Sequence, residues 1–488
     1  MTTLNRYLIG ILTGMLAILL HTTCSKDTIA VDLSGTGYPD AVGSLLLKNC
    51  AVSGCHNSQS KDACGGLSLE TWENLMEGGS SGSVVVPFRP DFSTLMYYTN
   101  SYDEFGSIQL TPKMPVGGNA LSKPEMKILN DWILAGAPNR KGFVKFSDYE
   151  NREKIYVVNN GCDVVAILDP ETERTMRYVS VGISPAIEGP TMVKVAPDQK
   201  HWYVIFGGGT VIQKFRTSDN KVTGHINIGS GVWTSFAISP DSRRAYITDI
   251  QFDGKIVCVD LENLQVIATL STGLRDPFDI AVDHTGNILY AVPNLGNFLY
   301  KINITNINNP VIAELSMEQG YPVNYSSSLD PYSIQFNANQ SKYFVVCRGS
   351  SELRIFQTGN DSLLAVIPVG TKASRMAISQ QTPYLFVSCE GAYPSRESAI
   401  YVVNHQTNSY VTDVYAGFDS RGIVLSDATG MIYVANRNVS SGGPAAHHES
   451  VCSGKNGYLT ALDIMNHQLI PGYRVEVSVD PLYIGKSH

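Results

Sequence analysis

The last nine residues, 480–488, read DPLYIGKSH, a strand opening with no repeat unit behind it. Six earlier stretches open in a similar way: TMVKV at Thr191, TSFAI at Thr234, DPFDI at Asp276, DPYSI at Asp330, SRMAI at Ser374 and SRGIV at Ser420. Their closing residues, Val195, Ile238, Ile280, Ile334, Ile378 and Val424, stand 43, 42, 54, 44 and 46 positions apart. Second strands rich in Tyr or Phe follow them, among them RAYITD, ILYAVP, KYFVVC, YLFVSC and MIYVAN. A period in the forties holding about four short strands is the pattern of propeller blades. The first unit begins at KIYVVNN (Lys154) and lacks an opening strand. The terminal stretch therefore predicts the missing inner strand of blade one. It closes a ring of seven blades and removes an edge that would otherwise pair with another chain.

The remaining composition fits that reading. Charged residues make up 16% of the 488, and Gly and Tyr are plentiful, which favours β-structure with many turns. The net charge of -8 comes with no basic stripe, which argues against a nucleic-acid partner. At the start, Arg6 precedes an apolar run, YLIGILTGMLAILL at residues 7–20, of signal-peptide length and too short to span a membrane comfortably. HTTCSKD follows and resembles a bacterial lipoprotein signal, although His21 stands where such signals prefer Leu. The resemblance implies a signal over residues 1–23, lipidation of Cys24, a linker over 24–37 and a place in the cell envelope, as an outer-membrane and surface lipoprotein. Ordinary cleavage, with Cys24 lost or free, is the other reading. An exported chain folds where thiols can oxidise.

Residues 38–140 follow a helical pattern. YPDAVGSLLLKNC puts Val42, Leu45 and Leu46 on one face and runs into Cys50. Ser122 and Glu125 form a capping box ahead of an apolar stripe of Ile128, Leu129, Trp132 and Ile133, and Gly136 and Pro138 end that helix. Between the helices lies NCAVSGCHNS, residues 49–58. Cys50 and Cys55 enclose four residues and His56 follows, where a covalent haem site has C-x-x-C-H. Three readings are open: a haem site with a widened gap, a disulfide among Cys50, Cys55 and Cys64, or another metal. Zinc lacks a second paired-ligand motif.

Five ordered stretches decide what this region resembles: NCAVSGCHNS, GGLSLETWENLMEGG, VVVPFRPDFSTLMYY, LTPKMPVGG and EMKILNDWILAGAPN. Together they resemble a planctomycete-type monohaem cytochrome c domain. The resemblance implies one haem c, with thioethers from Cys50 and Cys55 and axial ligands His56 and Met114, and with the Trp132 helix covering one haem edge. A neutral imidazole opposite a soft thioether holds low-spin iron at a raised potential. Residues 148–488, with YVVNN and IYVAN in their repeats, resemble YVTN-type seven-bladed propellers. The expected fold is thus multidomain: a small all-α cytochrome c-like domain, then an all-β seven-bladed propeller closed by the C-terminal strand.

On the propeller, loops after the second strands share a rim with Arg275, Arg348, Arg375, Arg421 and Arg437. That cluster suggests a site for an anion or an acidic partner. Cys347 and Cys389, at equivalent places in adjacent blades, are either a disulfide or two small core residues. In the last blade a long Gly-rich insertion carries His447, His448 and Cys452, types that can bind copper. The other histidines do not recur at rim positions, which argues against a copper cluster. No nucleophile–base pair or carboxylate pair stands out. The expectation is an electron-transfer protein served by a redox partner or an outer-membrane complex, more readily than an enzyme. The alternative is a surface binding protein whose cytochrome-like domain lacks haem.

Overall fold

A computed structural model describes residues 32–147, 152–251, 253–391, 397–446, 448 and 450–487. The signal-like segment, Cys24 and His447 lie outside the described residues. The helical domain holds α1 (Asp40–Asn49), α2 (Trp72–Glu77), α3 (Thr94–Thr99) and α4 (Lys123–Leu134). Val42, Leu45 and Leu46 of α1 are buried against Leu129, Trp132 and Ile133 of α4 in one core. The expected cap is formed: the Ser122 N–H donates to the Glu125 carboxylate at 2.8 Å. Two indoles tie this core to the chain leaving it, Trp72 Nε1–H to the Ala137 carbonyl at 2.8 Å and Trp132 Nε1–H to the Pro138 carbonyl at 2.9 Å. No helix among the described residues is long and apolar enough to cross a membrane.

Seven four-stranded antiparallel sheets follow, six of them ordered from inside to outside along the chain. Their inner strands are Pro190–Val195, Trp233–Ile238, Pro277–Val282, Pro331–Phe336, Ala373–Ile378, Ser420–Ser426 and Pro481–Lys486. The last of these pairs with Ile155–Asn159, so the C-terminal strand does complete blade one. In blades four and five the residues equivalent to Val195 are Val282 and Phe336, two beyond Ile280 and Ile334. A slip of two leaves every side chain on the same face, which is why alternation alone did not fix it.

Ring closure is reinforced covalently. Cys162 of blade one and Cys452 of the last-blade insertion form a disulfide across 290 residues, with Cα atoms 5.5 Å apart. The Cys452 thiol is therefore not available to copper. Cys347 and Cys389 are buried free thiols, the small-core-residue outcome of the two considered.

The helical domain seats itself on this seam. Phe92 packs with Cys162, Val164, Tyr178 and Cys452, and its ring stacks on Tyr178 at 4.2 Å. Arg89 donates to the Tyr178 carbonyl at 2.8 Å, Arg174 to the Glu77 carbonyl at 2.5 Å, and Ser83 to the Thr175 carbonyl at 3.2 Å. Replacing Cys162 and Cys452 together by Ser should lower the unfolding free energy by about 5 kcal/mol or somewhat less, the chain-entropy value for so long a loop. Chemical denaturation with and without reductant measures this. Equal midpoints in both conditions would show that hydrogen bonding alone closes the ring.

Candidate functional site

α1 ends at Asn49, and the chain turns at once. The His56 N–H donates to the Cys50 carbonyl at 3.1 Å and the Cys55 N–H to the Val52 carbonyl at 3.0 Å, which folds Ala51–Cys55 into a tight loop. Gly54 has φ +79°, the left-handed region that glycine enters without strain, and this lets the four-residue gap close. Opposite, the Met114 N–H donates to the Tyr98 carbonyl at 2.8 Å, and the Lys113 ammonium donates to the Asn100 carbonyl. These segments border one cavity of about 480 Å³, a size in the ~300–1,000 Å³ range of ligand and cofactor sites. Cys50, Cys55, His56 and Met114 all line it, and Leu67, Leu69, Val84 and Leu95 supply apolar wall.

The chemistry of that wall suits a haem. Burial holds the His56 pKa below its ordinary value, against the pull of the Cys64 and Leu67 carbonyls, so the imidazole is neutral and able to ligate. Among the described residues its buried Nδ1 has no hydrogen-bond partner. Burial, aided by nearby Cys55, pushes the Cys50 thiol up to about 12. Cys50 and Cys55 are both free, so the disulfide reading of these residues is not what the fold adopts.

Three placements differ from the expectations or add to them. Trp132 lies in the domain core rather than on the cavity wall, because its indole is committed to the Pro138 carbonyl; α3 supplies the cover through Leu95, Tyr98 and Thr99. Cys64, named from sequence only as a candidate disulfide partner, lines the cavity at the end of a short 3₁₀ turn, Lys61–Cys64, as a free thiol. His448 also reaches the cavity, from the propeller: its ring meets Tyr98 edge-on at 6.4 Å, and its Nδ1 is 3.7 Å from Glu476. Only domain docking brings it there. Among the described residues, no group of three or more His, Cys, Asp or Glu side chains is arranged to hold a metal ion.

Residues 53–107 match the family model of planctomycete cytochrome C. The match takes in Cys55 and His56 and leaves Cys50 and Met114 outside its bounds. The chain is thus a small helical cytochrome c-like domain followed by a seven-bladed β-propeller. None of the curated proteins matches it. A functionally unknown protein from Desulfotomaculum acetoxidans DSM 771 is similar in structure, with a TM-score of 0.54 and 14% identity, covering 69% of this chain and 99% of that one. Kuenenia stuttgartiensis hydrazine synthase aligns with a TM-score of 0.49 and 14% identity, over 62% of this chain and 91% of that one. At such identities the likeness concerns the fold alone.

The rim arginines are mostly committed to protein carboxylates. Arg348 and Arg421 both bond Glu390, at 2.9 and 2.5 Å; Arg437 grips Asp480; Arg375 pairs with Asp279 at 3.1 Å. Arg275 lies over the Tyr325 ring at 5.0 Å. Burial raises the Glu390 pKa, but the hydrogen bonds and charges of Arg348 and Arg421 outweigh it and hold the group at about 2. A folded pKa below the unfolded one stabilises above the ordinary carboxylate range and loses that contribution as pH falls toward 2. Glu390→Gln should cost about 3 kcal/mol at neutral pH and flatten the stability profile between about pH 4.5 and 2. Denaturation midpoints across that range check it, and an unchanged acid slope in the variant would refute the assignment.

Proposed function

We propose that this chain is an exported electron-transfer protein carrying one haem c, with the propeller as the platform on which a redox partner or another outer-membrane complex docks. The observation that carries the reading is the single cavity on which Cys50, Cys55, His56 and Met114 converge. Cys50 and Cys55 would hold the macrocycle through thioethers, and His56 and Met114 would be the axial ligands. Haem c bound there would supply one-electron chemistry at a potential raised by the thioether ligand. The chain's own part is positional. His56 is kept neutral by burial, the Met114 segment is pinned by the Tyr98 carbonyl, and Leu67, Leu69, Val84 and Leu95 keep water out. A lipid on Cys24 would tether the whole to the outer membrane and display it at the cell surface.

The second reading, a binding protein without haem, draws on the four-residue gap and on a family match that begins after Cys50. The full chain, exported by a host with cytochrome c maturation, separates the two by absorbance and by haem staining on a denaturing gel. The expected result is a sharp reduced α-band and a stained band at full mass. A colourless protein with its pocket thiols unmodified would favour the second reading. His56→Ala should abolish the low-spin spectrum. Met114→Ala should keep attached haem but leave the iron high-spin or differently ligated. Native spectra in both variants would overturn the ligand assignment.

A further inference from the structure

The inner strands of the propeller enclose a channel, and part of it opens into a cavity of about 320 Å³ bordered by Lys194, Asp279, Gln335, Arg375 and Tyr483. Its charges do not balance. Asp279 is already engaged by the Ser235 hydroxyl at 2.5 Å, the Ile334 N–H at 3.1 Å and the Arg375 guanidinium at 3.1 Å. Among the described residues the Lys194 ammonium has no hydrogen-bond or ion-pair partner; it stands 5.7 Å from the Phe236 ring centre. Arg375 lies over the rings of Phe278, Tyr332 and Tyr483, at 5.6, 5.7 and 5.4 Å, and spends one nitrogen on Asp279. Arg348 reaches the same Tyr332 ring at 4.8 Å and, with Arg421, shares the one carboxylate of Glu390. Lys486 also borders the cavity and pairs with Glu153 at 3.4 Å, so three cations line it against the one carboxylate of Asp279, in a protein whose net charge is -8.

Such a local excess is costly to keep. An uncompensated cation in a confined space loses hydration, and a hydrophobic residue of similar volume would avoid that loss. The loss shows at Lys194: burial, together with Arg375, brings its pKa down to about 8 against the opposing pull of Asp279. The ammonium nevertheless remains mostly charged at neutral pH. A channel of one sign in a protein of the other sign concentrates counter-ions where its field is focused. The guanidinium fork supplies directional donors and the ammonium a mobile point charge, the pair of types that receives carboxylate and phosphate oxygens.

We propose that the propeller channel binds a small multivalent oxyanion, with Lys194 and Arg375 as its principal donors. The site is separate from the cofactor pocket, so its test does not depend on haem. Calorimetric titration of the full chain with inorganic phosphate and with succinate, at low ionic strength and matched against chloride, should show one site per chain for at least one of them. Which anion binds tells a phosphoryl-bearing ligand from a dicarboxylate. Lys194→Met should weaken binding roughly tenfold or more, as loss of a charged hydrogen-bond donor does. The same variant should melt no lower than the parent, which guards against a folding artefact. Arg375→Lys, which keeps the charge but loses the fork, should weaken binding while the protein stays folded. No saturable binding of either anion, displacement of both by chloride alone, or undiminished affinity in Lys194→Met would each overturn the proposal.

Discussion

Everything in this molecule depends on how the ring is closed. The strand Pro481–Lys486 must travel back to pair with Ile155–Asn159, and both flanks of that pairing are tied down. The Lys154 N–H donates to the Ser487 hydroxyl and the Ser487 N–H to the Lys154 carbonyl, both at 2.9 Å, while the Asn160 N–H donates to the Asp480 carbonyl at the other end. Without that strand, blade one would lack its inner member and present an unpaired edge. The Cys162–Cys452 bond spans the same seam from outside. Closure also makes the seat for the helical domain. It brings the outer strands Arg174–Ser180 and Val475–Val479 of blades one and seven to one crevice, which Phe92 and Ser83 also border, while Arg89 and Ser83 bond the first of them. His448 arrives at the cavity wall only because that seat exists.

What could be read from residues alone follows from the range of the interactions involved. Repeats and helix ends are local. The alternation of TSFAI or SRMAI and the Ser122–Glu125 cap each need only neighbours in sequence, so the blades, the closing strand and α4 were all legible. The two-residue displacement at Ile280 and Ile334 escaped because a period of two is blind to it. The pairing of Cys162 with Cys452 escaped for the opposite reason: nothing short of the closed ring brings residues 290 apart together.

The candidate site divides along the same line. Cys55 and His56 are adjacent in sequence, so their pairing needed no structure, and Met114 was marked by its KMP context. Trp132 was misplaced because its apolar ring suited either a cavity wall or a core, and the acceptor that decides between them, the Pro138 carbonyl, becomes visible only in three dimensions. Residue type alone marked the rim arginines as anion receptors. Their carboxylates, Glu390, Asp279 and Asp480, come from other strands or other blades, and no motif announces them. Lys194 had the reverse fate, since a lysine on an inner strand looks unremarkable until its lack of a partner can be seen.

The cavity of the helical domain lies against the outer strands of blades one and seven, whereas the channel is bordered by inner strands of several blades, and that separation constrains how the two could act on each other. The helical domain rests on outermost strands, whereas Lys194 and Arg375 stand on innermost ones. Three strand spacings of ~4.8 Å put at least about 14 Å between the innermost and outermost strands of a blade. Across that distance, at an effective dielectric constant near 20, a unit charge contributes about 1 kcal/mol. An anion in the channel would thus bias the redox state of the pocket only slightly, and the reverse influence is equally small because such coupling is reciprocal. The sheets of blades one and seven also share the rigid, disulfide-bridged seam, so no hinge is built between them to amplify so small a term. On the two proposals made above, the arrangement suits tasks held in fixed geometry, anion recognition along the ring axis and electron transfer at the outer seam, better than it suits a switch in which one site commands the other.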